Sequence, residues 1–276
     1  MNTEVAGPGG VRIALRVEGA QNSRPIVFVH GWAQASNAWS AQLADPALSA
    51  RFRLVAMDLR GHGASDVPAA GYDDPRQWAD DLAAVLDFAG PDAIVVGWSY
   101  GGLVIADYLR VHGTARLAGI VLVGAITEIG RGRAGGQNGP VMRAALPAAL
   151  SEEAEVAVPA LVEFARAQAS PRVPGSYTQA MLGHSLAVPP SVRGALFRRD
   201  IGSAEVLQAV DKPVLVVHGT ADRVVAPAAA EYSAGKIPGA VVRWFVDAGH
   251  LPFVEEPGEF NSLLRQFSGE TADEQE

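Results

Sequence analysis

An open, mostly parallel β-sheet wrapped by helices, with a helical segment inserted late in the chain, is the architecture this sequence predicts. Three observations predict it. Short β-rich runs alternate with helical segments along most of the chain, as in a sheet whose two faces are covered by crossover helices. One such run ends in Gly97-Trp98-Ser99-Tyr100-Gly101-Gly102 and passes directly into an apolar stretch of helical composition, which reads as a tight strand-to-helix turn. Finally, about ninety residues separate Val123 from Val214, far more than a crossover requires.

In chain order, residues 3–6 and the alternating segment 11–17 predict an antiparallel edge hairpin. The buried strands follow at 26–29, 54–57, 94–96, 120–123, 214–217 and 241–246. Crossover helices are expected over 39–48, 75–89, 103–112, 226–236 and 257–267. Within the long gap, 144–150, 152–169, 176–186 and 191–199 have helical composition and are punctuated by prolines. The expected division is a core of residues 1–126 and 202–268, a helical cap over 127–201, and a disordered acidic tail over 269–276. The glycine-rich segment 130–139 is the expected flexible strap into the cap.

Composition excludes several function classes. The formal charge is −8 and the arginines are scattered singly, which argues against a nucleic-acid partner. There is no cysteine, so neither disulfides nor thiolate metal sites can form. No apolar run approaches the roughly 20 residues of a membrane span, and the segment through Gly10 lacks signal-peptide features, so a cytoplasmic protein is expected. Asp73, Asp74, Asp80 and Asp81 surround a helix start, where capping and the helix dipole explain acidic residues better than a metal does.

The chemistry centres on Ser99. A serine on such a turn occupies a strained backbone position that lifts its hydroxyl clear of the sheet, and bulky residues at 97 or 101 would collide with the turn. A serine hydroxyl is a poor nucleophile at neutral pH and needs a base held by an acid. His250 follows the last strand in Asp247-Ala248-Gly249-His250, and Asp222 follows another in His218-Gly219-Thr220-Ala221-Asp222. Both stand at carboxyl ends of parallel strands, where active groups gather. Asp247 and Glu128 are the rival acids. Only a neutral imidazole can take the serine proton, so activity should rise from acid toward neutral pH.

An oxyanion formed at Ser99 needs backbone N–H donors. Tyr100, at the start of the helix, is one candidate, and Trp32, in the turn His30-Gly31-Trp32, is the second. His30 is read as shaping that turn and His62 as bracing Arg60-Gly61-His62-Gly63. His112, His184 and His218 are read as structural or solvent-facing. Trp98 is assigned packing under the turn. Trp32, Tyr100, Met142, Phe164, Met181, Leu182 and Phe197 are candidates for an apolar substrate pocket, and His184 is added because it lies in the cap and could face substrate.

His30-Gly31-Trp32, Asp58-Leu59-Arg60-Gly61-His62-Gly63-Ala64-Ser65, the Ser99 turn, Asp222 and Gly249-His250 together resemble, in order and spacing, a cap-containing α/β-hydrolase-fold serine hydrolase. The resemblance extends over nearly all the chain outside the cap and suggests a likeness to small esterases and to cofactor-free haloperoxidases or perhydrolases. It implies the fold and the triad; the order Ser99, Asp222, His250 is the one expected of that fold, the mechanism needs no metal, and no cofactor is expected. Relatives that open epoxides or remove halide carry Asp where this chain has Ser99, so neither activity is expected. The expected reaction is cleavage of a small to medium, mainly apolar carboxylic ester through an acyl-enzyme. Carbon–carbon bond hydrolysis or perhydrolysis with the same triad is the alternative. Both options need a charged or polar anchor in the pocket, for which the cap offers Arg143, Arg166, Arg193 and Arg198. A ligand-binding relative without catalysis is the remaining reading.

Overall fold

The computed structural model describes residues 1–273. Eight strands, β1 (Asn2–Ala6), β2 (Arg12–Glu18), β3 (Pro25–Val29), β4 (Arg53–Met57), β5 (Ala93–Trp98), β6 (Leu117–Val123), β7 (Val214–Gly219) and β8 (Val241–Phe245), form one sheet. Their order is β1-β2-β4-β3-β5-β6-β7-β8. The first two strands pair antiparallel to their neighbours, and every pairing from β4 to β8 is parallel. The expected edge hairpin and parallel sheet are therefore present.

Period-2 alternation divides the strands between two cores. Val27, Val29, Val55, Met57, Val95, Ile120 and Val214 face one cluster, while Ile26, Phe28, Leu54, Ala56, Ile94, Val96, Val121 and Leu215 face the other. With both faces covered, β3 to β7 read as continuous apolar runs. The first core is closed by α3 (Pro75–Ala89), α4 (Tyr100–His112) and α10 (Pro227–Lys236), which contribute Trp78, Leu82, Leu103, Val104 and Ala229. The second is closed by α1 (Ser40–Leu43), α2 (Pro46–Ser49), α11 (Pro252–Glu255) and α12 (Pro257–Asp273), through Leu43, Leu48, Phe253, Phe260 and Leu264.

Two expectations are corrected here. The single helix expected over 39–48 is broken into α1 and α2, because the Asp45 carboxylate accepts the N–H groups of Ala47 and Leu48 (2.8 and 2.9 Å) and Pro46 opens a new helix. The tail expected to be disordered from residue 269 continues α12 as far as Asp273. Ser268 is fully buried and its carbonyl accepts from Arg24, so the helix is tied down beyond its expected end. Residues 274–276 of that tail lie outside the described residues.

Four helices occupy the long gap: α5 (Pro140–Ala149), α6 (Ala154–Gln168), α7 (Gly175–Ala187) and α8 (Pro190–Phe197). Pro147 and Pro159 lie inside α5 and α6 instead of ending them. The chain enters and leaves this segment side by side, since Ile129 and Ile201 exchange backbone hydrogen bonds of 3.1 and 2.7 Å. A further helix, α9 (Ala204–Gln208), then leads back to β7. The glycine strap is pinned in place: Glu128 accepts from the N–H of Gly135 and of Ser203, and from the Tyr232 hydroxyl.

The turn after β5 leaves no room for a side chain at Gly97 or Gly101. A methyl at Gly101 would lie 2.4 Å from the Val29 carbonyl oxygen, and one at Gly97 would lie 2.6 Å from Ile105. Because a backbone oxygen cannot swing aside as a side chain can, Gly101→Ala is expected to destabilise the fold by at least about 2 kcal/mol. Thermal unfolding should show a fall in Tm of roughly 5 °C or more, and an unchanged Tm would contradict this packing.

Candidate active site

Ser99 joins β5 to α4 with φ 55° and ψ −118°. A positive φ at a serine is strained, and it persists because the surroundings over-determine it. The Ser99 N–H donates to the Val123 carbonyl (3.0 Å), and the Ser99 carbonyl accepts from Gly102 and Ile126 (both 3.1 Å). Gly31, at the end of β3, approaches the same residue: a methyl there would lie 2.9 Å from Ser99 Cβ. Thus the turn after β3 and the turn after β5 meet at the serine.

The candidate acid and base are paired. His250 Nδ1 lies 2.8 Å from Asp222 Oδ2, and both side chains are almost wholly buried. The other carboxylate oxygen, Asp222 Oδ1, accepts the backbone N–H of Val224 (2.8 Å) and Val225 (3.0 Å). Burial alone would raise the Asp222 pKa, but the adjacent His250 and hydrogen bonds from His218 and His250 outweigh it and hold the carboxyl well below its usual range. It therefore stays ionised across the working pH range. The pair sits against the strand that also holds Ser99, because a methyl at Gly124, the residue after Val123, would lie 3.3 Å from His250 Nδ1 and 3.4 Å from Asp222 Oδ2.

Three side chains hold this arrangement through contacts that the sequence reading did not assign. Trp98 is more than packing: its indole N–H donates to the His250 carbonyl (3.0 Å) and its ring lies 5.4 Å from the imidazole. The Glu255 carboxylate accepts the N–H groups of Gly249 and Leu251, clamping both flanks of His250. His218, read as structural, points Nε2 at Asp222 Oδ2 (3.2 Å) and the Val225 carbonyl (3.1 Å). Its position four residues before Asp222 at a strand end was the available signal. Of the rival acids, the Glu128 carboxylate pins the strap, and Asp247 is exposed, outside the buried pair.

The loop that carries Trp32 is shaped by two buried histidines. His30 Nε2 accepts the Leu59 N–H (3.0 Å) and His62 Nε2 accepts the Ala33 N–H (3.3 Å), which puts each ring proton on Nδ1, facing the Gly31 and Arg60 carbonyls respectively. Burial lowers His30 to about 4, against smaller opposing effects of Asp58 and the Gly31 hydrogen bond. Burial, then repulsion from His30, lowers His62 to about 3. Unfolded histidines bind protons near pH 6.5 while these two refuse them, so stability is expected to fall as pH drops from about 6.5 to 4, by several kcal/mol in all. Tm measured at pH 7, 5 and 4 checks this, and a flat profile would contradict it.

Asp58 completes the brace by accepting from Ser36 (2.6 Å) and Ala64 (2.8 Å), and Arg60 forms a buried two-point pair with Asp81 (2.6 and 2.9 Å). Asp81 is thus an ion-pair partner, whereas Asp74 caps α3 and Asp80 meets His112.

The candidate pocket residues divide. Trp32 stands edge-on to Phe164 (5.8 Å) and to Phe197 (5.5 Å), and its indole N–H donates to the Arg193 carbonyl. Met142 belongs to the large apolar core that also holds Trp32 and Phe164, and Leu182 packs against that core. Met181 and His184 do not join this group: they line a separate groove of about 580 Å³ between α7 and the segment 34–41. His184 there meets Asn37. The Tyr100 side chain is also not a lining group, since it is buried against Trp78 and bonded to Arg199 and Leu196. None of the four arginines offered as a polar anchor is free and inward-facing. Arg193 is buried but bonded to the carbonyls of Ala149, Ser185 and Val188, Arg166 pairs with Glu163 at the surface, Arg143 meets the Asn138 carbonyl, and Arg198 is exposed.

A serine turn at positive φ, a buried Asp–His pair and a glycine loop now stand together at the carboxyl ends of β3, β5, β7 and β8. The profile of the alpha/beta hydrolase family matches residues 26–263. The chain belongs to that family. Among solved structures, this hydrolase is similar to the esterase RhEst1 from Rhodococcus sp. ECU1013, with 47% identity and a TM-score of 0.92 over 97% of this chain and 98% of the other. Among curated proteins, the hydrolase is 32% identical to a non-heme chloroperoxidase of Streptomyces lividans over 94% of this chain and 96% of that protein. It is 31% identical to a pimeloyl-[acyl-carrier protein] methyl ester esterase of Aromatoleum aromaticum (strain DSM 19018 / LMG 30748 / EbN1), over 88% and 97% of the respective chains. No helix among the described residues of this hydrolase is long and apolar enough to cross a membrane.

Proposed function

We propose that the chain is a cytoplasmic serine esterase that cleaves small to medium, mainly apolar carboxylic esters through an acyl-enzyme. Action on ester bonds accords with the relatives named as esterases. The observation that carries the mechanism is the buried His250–Asp222 pair, 2.8 Å apart, beside a serine held at positive φ. Ser99 attacks the carbonyl carbon while His250 takes its proton, and the proton then passes to the leaving alcohol as the C–O bond breaks. Water, activated by His250, next attacks the acyl-enzyme and releases the acid and free Ser99. Asp222 stays ionised throughout, fixing the ring orientation and stabilising the imidazolium.

The N–H groups of Tyr100 and Trp32 receive the oxyanion. Tyr100 opens α4, so its N–H belongs to the first turn, which has no carbonyl partner within the helix. The inserted helices over 127–201 act as a cap, and the apolar group Trp32, Phe164, Phe197, Met142 and Leu182 receives the substrate. The apolar character of that group, with none of the four inserted-segment arginines free to face it, favours neutral esters over substrates needing a charged anchor, and this weakens the carbon–carbon cleavage reading.

A second reading, perhydrolysis with peroxide in place of water at deacylation, is favoured by the chloroperoxidase relative. It uses the same residues and needs no cofactor. Steady-state rates on p-nitrophenyl esters of increasing acyl length, with and without acetate and peroxide, test both: ester turnover is the expected result, and no turnover of any ester by folded protein would overturn the proposal. Peracid formation outpacing ester hydrolysis would favour the second reading.

A further inference from the structure

The residue after the nucleophile is tied to the inserted helices by a buried polar network outside the triad. The Tyr100 hydroxyl is held at both ends: it accepts from Arg199 Nη1 (2.9 Å) and donates to the Leu196 carbonyl (3.3 Å). Arg199 then reaches two turns further along α4, where Nη2 meets Asp107 Oδ2 at 2.6 Å. Its guanidinium also lies 5.9 Å from the ring centroids of both Tyr100 and Trp78. Arg199 and Asp107 side chains are 1% and 0% exposed. Arg199 stands two residues before Ile201, where the inserted segment rejoins the core.

Stability does not account for this pair. Arg199 Nε and Asp107 Oδ1 are buried with no hydrogen-bond partner, and a buried ion pair with unsatisfied atoms is commonly no better than an apolar pair of similar volume. Even with Arg199 opposite, burial lifts Asp107 to about 6. What an apolar pair lacks is direction. The guanidinium fork fixes α4 at two points, Tyr100 and Asp107, against the end of α8.

We propose that Arg199 and Asp107 are positioning residues for the Ser99 reaction: through the Tyr100 hydroxyl they fix the first residue of α4, and so the Tyr100 N–H and the strained Ser99 beside it, against the inserted helices. This rests on the esterase reading above. The strain at Ser99 needs a fixed neighbour to persist, and a displacement of about 1 Å at a reacting group costs on the order of 100-fold in rate.

The test compares wild-type protein, Tyr100→Phe and the double variant Arg199→Met/Asp107→Leu in p-nitrophenyl ester burst kinetics, with Tm measured on each. The double variant is expected to keep or exceed the wild-type Tm while acylation slows by about tenfold or more and KM stays within about threefold. Tyr100→Phe, which keeps the ring and loses only the hydroxyl, is expected to slow acylation by about threefold or more. A double variant with wild-type acylation, or with loss confined to KM, overturns the proposal. If the double variant does not fold, unchanged acylation in Tyr100→Phe overturns it. Absence of Ser99-dependent turnover in the wild-type protein instead overturns the esterase reading, a separate outcome.

Discussion

Ser99→Ala is expected to lower ester turnover by about a millionfold, leaving only the background from binding and backbone donors. The size follows from the role assigned to Ser99 as the atom that forms the covalent bond, for which no neighbour can substitute: the buried His250 and Asp222 side chains face one another and carry no hydroxyl. Alanine fits the site, since it removes one oxygen from a residue whose fixed contacts are its backbone N–H and carbonyl. The variant should fold with a Tm close to wild type and bind ester with little change in KM. Single-turnover and steady-state assays on purified protein check this, and turnover within a hundredfold of wild type would remove Ser99 from the chemistry. Intact ligand binding and biological activity in the variant would favour the non-catalytic reading.

Asp222→Asn is expected to cost about 10⁴-fold in kcat with the fold retained. The amide oxygen can still accept from Val224 and Val225, so the loop after β7 keeps its hydrogen bonds. The amide nitrogen then faces His250 Nδ1, where the carboxylate stood 2.8 Å away. A donor there forces the ring proton onto Nε2, the nitrogen that must be free to take the serine proton, and leaves the imidazolium without its counter-charge. Loss should fall on kcat, with KM little changed. A drop of less than tenfold would point to a different acid, for which Glu128 and Asp247 are the tests to make next.

The fold was legible wherever burial on two faces dictated composition. Residues 26–29, 54–57, 94–96, 120–123 and 214–217 are apolar because helices cover both sides of the sheet, and each lies within an observed strand. The break between α1 and α2 was missed because the capping of Asp45 competes with an otherwise helical pattern. The continuation of α12 was missed because tethering of Ser268 by Arg24 spans the whole chain, and no local window contains it.

At the candidate site, the meeting of Asp222 with His250 was legible because each stands in the loop after a strand, and the sheet brings strand ends together. The roles of Trp98 and Glu255 were not, because each acts on the His250 loop, one across 152 residues of sequence and the other through a short helix with no periodic signal. The pocket was the least readable part. Met181 and Phe164 are both apolar residues on inserted helices, yet one lines an outer groove and the other packs on Trp32, and only helix rotation decides between them.

Covalent labelling tests the central assignment most directly. Folded protein is incubated with a fluorophosphonate probe, digested and mapped by peptide mass. The account predicts a single stoichiometric adduct on Ser99, strongly reduced in Asp222→Asn and absent in Ser99→Ala. An unlabelled Ser99, or an adduct on another residue, would contradict it.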